Sequence, residues 1–118
     1  MSDPAVFDRS AALDRIDGDE ELLNEVLEVF ACDMPQKVEA LNRALKNDDA
    51  AAAAFKAHSI KGACLSIGAE VVARLAYEIE AAAKQGRLSD VGSFMPEFER
   101  ALDTLQSTIG KSWHSETA

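Results

Sequence analysis

Hydrophobic residues recur at intervals of three and four along most of the chain, which is the spacing of amphipathic helices. Aspartates and glycines, which favour helix starts and ends, interrupt this pattern. Together they predict one short helix and four longer ones, over about 9–16, 20–47, 50–68, 69–85 and 90–109. Because short turns make consecutive helices run antiparallel, we expect an all-α fold: an antiparallel up-down-up-down four-helix bundle with a short extra N-terminal helix.

The same pattern suggests the limits of the folded domain. A chain of 118 residues suffices for one domain with one core. Gly110 is expected to end the last helix, so that 1–110 form the domain and 111–118 a flexible tail. Pro35 either kinks the second helix or restarts it, whereas Pro96 is tolerable if the first turn of the last helix lies there.

The third predicted helix carries a histidine on the side opposite its apolar stripe. The stripe consists of Ala53, Ala57, Ile60, Cys64 and Ile67. At about 100° per residue, His58 lies roughly 140° from its centre and should face solvent. Gly62 is one turn further along the same outer face, with Lys61 beside it, and Phe55 and Leu65 also point outward.

These outward residues suggest a reactive nitrogen on a docking surface. A neutral imidazole is a good nucleophile, and its attack on phosphorus would give phosphohistidine. Lys61 could offset the added charge. Gly62 costs about 1 kcal/mol of helix stability relative to alanine, but it leaves open space beside the imidazole. The apolar residues expected to contact a partner are Ala51, Ala54, Phe55 and Leu65.

Charge and composition exclude several other roles. The formal net charge of −9 opposes binding to nucleic acid or to an anionic membrane. Neither a membrane-spanning run nor a signal peptide is evident, which favours a cytoplasmic protein. Cys32 and Cys64 are expected to be small buried thiols. No metal site is expected, because the only other histidine is His114 and no carboxylate or thiol stands at ligand spacing from His58.

Two segments of the sequence resemble histidine phosphotransfer (HPt) domains. The resemblance is carried by 57–63 (AHSIKGA), Gly68, Leu75, Ile79 and Glu80, and upstream by 13–23, Phe30 and Pro35. It covers nearly the whole chain, from about Phe7 to Leu105. Ile60 stands where leucine is commoner, and Cys64 occupies a position that is often small or polar, but neither departure touches the chemistry.

The resemblance implies specific roles. His58 would accept the phosphoryl group on the ring nitrogen farther from the backbone, Lys61 would stabilise it, and Gly62 would give the partner access. Glu80 is the nearest match to a polar residue that faces the histidine in many relatives. Partner docking is assigned to Ala54, Phe55, Leu65 and Glu80.

The implied function is that of a phosphocarrier in a two-component phosphorelay. It would shuttle a phosphoryl group between aspartates of response-regulator receiver domains, including that of a hybrid histidine kinase. Such a protein is not an enzyme: it neither binds ATP nor phosphorylates itself. It needs no cofactor, since Mg²⁺ is expected on the receiver, and it is expected to be a monomer.

Two alternatives remain open from the sequence. A helical docking module could bind receivers without carrying phosphate, although the presence of His58 argues against it. A dimerising histidine-kinase core fits less well, because that family has an acidic residue directly after its histidine, where this chain has Ser59.

Overall fold

Short turns fold four long helices of this protein back on one another. The computed structural model describes the backbone of residues 7–117 and the side chains of residues 7–110. The helices in this part of the chain are α1 (Arg9–Arg15), α2 (Glu20–Lys46), α3 (Ala50–Ser66), α4 (Glu70–Lys84) and α5 (Leu88–Thr117). Each of α2 to α5 packs against the next, α5 also packs against α2, and α1 contacts α2. The predicted bundle with its short N-terminal helix is therefore confirmed.

Three aspartates define the starts of α1, α2 and α3. The carboxylates of Asp8, Asp19 and Asp49 each accept a hydrogen bond from the backbone N–H three residues later, at 3.0–3.1 Å. Each bond satisfies one of the backbone donors that a helix N-terminus leaves unpaired. The starts predicted after these residues are confirmed to within a residue.

The core lies along the axis of the bundle and includes the whole predicted stripe of α3, whose residues are at most 1% exposed. The largest fully buried side chains come from all four long helices: Phe98, Leu27, Met34, Leu41, Ile60, Ile67, Ile79, Leu105, Ile109, Val72, Val91 and Cys64. Many other buried positions of α3 and α4 are alanines. Small side chains let two helices approach closely, and α3 and α4 form the most extensive helix pair of the bundle.

A glycine and an arginine fix the end of α3. Gly68 has a φ of +76°, the left-handed conformation that commonly ends helices. The backbone N–H of Ala69 donates to the carbonyl of Cys64 at 2.8 Å, which closes the last turn. Arg15 Nη1 donates to the carbonyl of Leu65 at 2.8 Å. The Arg15 contact joins the end of α1 to the end of the histidine-bearing helix.

The prediction for the last helix was wrong at both ends. It begins at Leu88 rather than Asp90, so Pro96 lies inside α5 and not in its first turn. It also continues through Gly110 to Thr117. Gly110 does not have the positive φ of a terminating glycine, and a helix-interior glycine costs only about 1 kcal/mol. The flexibility of 111–118 stays a prediction.

Two further predictions concern Pro35 and the two cysteines. Helix α2 is continuous from Glu20 to Lys46 with Pro35 inside it, so it does not restart at the proline. Cys32 is exposed, which contradicts the expectation of two buried thiols, because it lies on the outer face of α2. Cys64 is buried as predicted, and burial raises the pKa of its thiol to about 12.

No helix in the part of the chain that the structure describes combines the length and the apolar character needed to cross a bilayer.

Candidate functional site

His58 lies on the outer face of α3, at the side where α3 meets α4. Its side chain is 62% exposed, so the predicted outward orientation is confirmed. The imidazole lies in a shallow open groove whose other lining residues are Ala51, Ala54, Phe55, Glu80 and Lys84. One edge of the ring therefore faces solvent, while the other faces α4.

The contact with α4 distinguishes the two ring nitrogens. His58 Nδ1 is 3.0 Å from Oε2 of Glu80. An ionised carboxylate can only accept a hydrogen bond, so in the neutral imidazole Nδ1 carries the proton and donates. Nε2 is then left unprotonated, with its lone pair available. The sequence placed Glu80 opposite the histidine, and the structure confirms that placement.

Glu80 is the one buried charged residue among the side chains of residues 7–110, with a side-chain exposure of 4%. Lys61 Nζ approaches its Oε1 at 3.0 Å. Lys84 Nζ lies 3.1 Å from Oε2, the oxygen that also contacts His58. A buried carboxylate needs such partners, since a charge taken out of water without compensation is costly.

These contacts determine the protonation of Glu80. Burial alone would raise the pKa of its carboxyl group, but Lys61, Lys84 and His58 together outweigh burial and hold the pKa below its ordinary value. Glu80 therefore remains ionised around neutral pH and continues to accept the Nδ1 proton.

Lys61 and Gly62, which follow His58 on the outer face of α3, differ in how strongly their surroundings constrain them. Lys61 is only 22% exposed and is held between Glu80 and the ring of Tyr77, whose centroid is 5.3 Å from Nζ. Gly62 is exposed, and a Cβ added there would meet nothing within 4 Å. Nothing in the fold therefore requires glycine at this position, and its open side borders the histidine.

The four residues assigned to docking do not form one exposed set. Phe55 and Leu65 are exposed, Phe55 by 66%, with Lys56 Nζ 5.4 Å from its ring centroid. Ala54 is 7% exposed and forms part of the groove floor rather than its rim. Glu80 is buried and contacts the histidine and the lysines, so its place is inside the site and not on the contact surface.

Apolar grooves extend the exposed surface on both sides of the histidine. One lies between α2 and α3 and is lined mainly by Leu22, Val26, Val29, Phe30, Ala63 and Ile67. The other lies between α3 and α4, where Leu65, Val71 and Tyr77 are accompanied by Lys61 and Arg74. The groove between α3 and α4 includes Lys61, which belongs to the histidine site.

Several residues of the site were not predicted from the sequence. Lys84 lies one turn after Glu80 on α4, so it could have been found once Glu80 was assigned. Tyr77 gave no signal in the sequence, nor did the 2.9 Å hydrogen bond from Lys37 Nζ to Ser59 Oγ, which joins α2 to α3. Within residues 7–110, no three metal-ligating side chains cluster together; the side chain of His114 lies outside the described residues.

Comparisons with known proteins agree with this fold. The model of the Hpt domain family matches residues 25–108. The chain therefore belongs to the Hpt domain family and is a histidine phosphotransfer protein of phosphorelays, whose partners are receiver domains. No curated protein sequence matches it significantly.

Two solved structures share the fold. Histidine-containing phosphotransfer protein B from Pseudomonas aeruginosa PAO1 superposes with a TM-score of 0.88 at 23% identity, over 96% of this chain and 98% of that one. The HPT domain of the Hpt sensor hybrid histidine kinase from Shewanella superposes with a TM-score of 0.83 at 24% identity, over 96% and 97% of the two chains.

Proposed function

We propose that His58 is the phosphoacceptor and that its Nε2 atom carries the phosphoryl group between aspartates of receiver domains. The observation that carries this proposal is the 3.0 Å contact between Nδ1 of His58 and the ionised Glu80. It leaves the nucleophilic lone pair on the nitrogen that faces the open groove. Family membership supports the reaction class, and this geometry supports the assignment to His58.

Each transfer exchanges one bond to phosphorus for another. Nε2 attacks the phosphorus of an aspartyl phosphate, the N–P bond forms, and the aspartate leaves as a carboxylate with the electrons of the broken O–P bond. The imidazole keeps its Nδ1 proton and becomes positively charged, which the hydrogen bond to Glu80 stabilises. Delivery to the next receiver reverses these changes.

Lys61 and Gly62 have separate roles in this proposal. The phosphoryl group brings about two negative charges to Nε2, and the Lys61 ammonium, three residues away on the same helix, offsets them. Gly62 leaves space for the receiver to bring its aspartate in line with Nε2. Removing Lys61 should slow transfer while the bundle stays folded.

Docking is proposed to involve the exposed residues around the histidine, with Phe55 and Leu65 as apolar contacts and Ala54 on the groove floor. Although the chain carries a net charge of −9, basic side chains border this face. They are Lys37, Lys56, Lys61 and Arg74, and they outnumber the acidic side chains Asp33 and Glu70 of the same grooves. A local positive potential suits a partner whose active site is acidic.

We further propose that the chain is a cytoplasmic phosphocarrier without autokinase activity and without a cofactor of its own. Mg²⁺ is expected on the receiver, where it would stabilise charge on the transferring phosphoryl group. The receivers are proposed to include that of a hybrid histidine kinase.

The test is phosphoryl transfer from a radiolabelled phosphorylated receiver domain to the wild type and to His58→Gln. An acid-labile, base-stable label on the wild type and none on the variant is the expected result. His58→Gln should keep the helical spectrum and unfolding midpoint of the wild type, because His58 is exposed.

The opposite results are equally informative. Label on His58→Gln would place the phosphoryl group on another residue. Tight binding of several phosphorylated receivers with no label on either protein would favour the docking module that carries no phosphate.

A further inference from the structure

The Glu80 carboxylate has two lysine partners, of which only one lies on the histidine-bearing helix. Lys61 reaches Oε1 from α3, while Lys84 reaches Oε2 from α4, the helix of Glu80 itself. Lys84 is 66% exposed and shares the open groove with His58, whereas Lys61 is 22% exposed. Apart from its pairing with Glu80, Lys84 has so far been given no role in phosphoryl transfer.

The second lysine matters because Lys61 has two competing partners. In the resting protein Lys61 is paired with Glu80, but the phosphoryl group on Nε2 would also attract it. If Lys61 turned away, a Glu80 without another lysine would be a buried carboxylate whose remaining partner is an imidazole, which is unfavourable. Lys84 is one turn from Glu80 on the same helix, so their pairing does not depend on Lys61.

The formal charges of the cluster support the same division of roles. With Glu80, Lys61, Lys84 and a neutral His58, the cluster has one net positive charge. Phosphorylation adds about two negative charges on the phosphoryl group and one positive charge on the ring, so the cluster becomes neutral. Without Lys84 the phosphorylated cluster would have one net negative charge next to an acidic receiver.

We propose that Lys84 is a positioning residue for phosphoryl transfer. Its ammonium group offsets the negative charge of Glu80 when Lys61 turns to the phosphoryl group, and the ionised Glu80 continues to accept the hydrogen bond from Nδ1 of His58. This inference rests on the proposed function of His58. Lys84 does not need to touch the phosphoryl group, and its effect passes through Glu80.

The experiment compares Lys84→Gln, Glu80→Gln and the double variant with the wild type and with Lys46→Gln, an exposed lysine at the end of α2. Single-turnover transfer from a radiolabelled phosphorylated receiver domain is measured as a function of receiver concentration. Lys84→Gln should lower the maximal rate by about fivefold, the scale of one partly exposed ion pair. The receiver concentration for half-maximal rate should not change, and Lys46→Gln should match the wild type.

The double variant separates an effect of Lys84 through Glu80 from a docking role of Lys84. When Glu80 is already glutamine, Lys84→Gln should change the maximal rate less than about twofold, because no carboxylate remains to be neutralised. An equal loss in both backgrounds, or a loss confined to the half-maximal concentration, would overturn the proposal and make Lys84 a docking residue.

A second readout needs no partner. The ¹⁵N chemical shifts of the His58 ring report how strongly Glu80 accepts the Nδ1 proton. Because Lys84 shares Oε2 with His58, Lys84→Gln should make that oxygen a stronger acceptor and shift the Nδ1 resonance accordingly, whereas Lys46→Gln should leave it unchanged. Unchanged shifts would overturn the positioning role even if transfer proceeds. Absence of label on the wild type would instead refute the proposed phosphoacceptor, while the ring spectrum would still decide the relation between Lys84 and Glu80.

Discussion

At the scale of the residue, the pKa of Glu80 connects the site to the stability of the fold. Because this pKa is lowered in the folded protein, the ionised carboxyl group contributes stability above its ordinary value of about 4.5. The contribution is lost as the pH falls through the lowered value. Glu80 is surrounded by Lys61, Lys84 and His58, all of which favour its ionised form.

We therefore expect the stability difference between the wild type and Glu80→Gln to depend on pH. The free energy of unfolding of the wild type relative to the variant should be greatest near about pH 7 and should decrease toward about pH 3. Urea titrations at several pH values measure it, with Glu78→Gln, an exposed change on the same helix, as the control. A difference that stayed constant over this range would contradict the lowered pKa.

Gly62 allows a second residue-scale prediction, in which stability and function change in opposite directions. Since an added Cβ meets nothing within 4 Å, Gly62→Ala should raise the free energy of unfolding by about 1 kcal/mol. Gly62→Gln should give a similar gain, but its longer side chain, one turn from His58, should block receiver access. Urea unfolding and single-turnover transfer measure the two effects. Full transfer by Gly62→Gln would argue against the access role.

The sequence was sufficient to predict which residues lie on the outward face of α3, but not which side chains of other helices contact them. Helical periodicity alone puts His58, Gly62 and Phe55 outside, because it depends on one helix only. The protonation of Nδ1 and the participation of Lys84 depend on the register of α4 against α3, which is set by the packing of many small side chains.

At the scale of the helical element, Gly68 and Gly110 look alike in the sequence and differ in the structure. Gly68 has a φ of +76°, whereas Gly110 lies inside α5 without a positive φ. A β-carbon is strained in the left-handed conformation but favourable in a helix. We expect Gly68→Ala to destabilise the fold by about 1 kcal/mol and Gly110→Ala to stabilise it by up to about 1 kcal/mol.

Thermal and urea unfolding of the two glycine variants test this contrast. Each serves as the control of the other, because the chemical change is the same. If Gly110→Ala lowered the unfolding midpoint, α5 would end at Gly110 as its sequence suggested.

The starts of α1, α2 and α3 were easier to predict than the course of α2 and α5 through their prolines. Asp8, Asp19 and Asp49 each accept a hydrogen bond from the backbone N–H three residues ahead. Such a local contact can be recognised from the sequence alone. The continuation of α2 through Pro35 and of α5 through Pro96 instead depends on tertiary packing, which outweighs a local helix-breaking tendency.

At the scale of the whole molecule, the bundle closes on itself and leaves few apolar side chains outside. Within residues 7–110 the large exposed ones are Leu22, Val29, Phe55, Leu65 and Tyr77. They line the histidine groove and the two other apolar grooves. If two copies of the chain paired through this surface, it would no longer be available to a receiver.

We therefore expect a monomer of 12.7 kDa in sedimentation velocity at concentrations up to roughly 100 µM. The net charge of −9 gives two copies a mutual repulsion that opposes their association, and salt should weaken this repulsion. The measurement is therefore repeated at high ionic strength, with Phe55→Ser as the control. A dimer that Phe55→Ser dissociates would contradict the prediction, and transfer per mole of protein should then decrease as the protein concentration rises. A monomer in both salts would mean that the docking surface is too small to pair with itself and needs the additional contacts of a receiver.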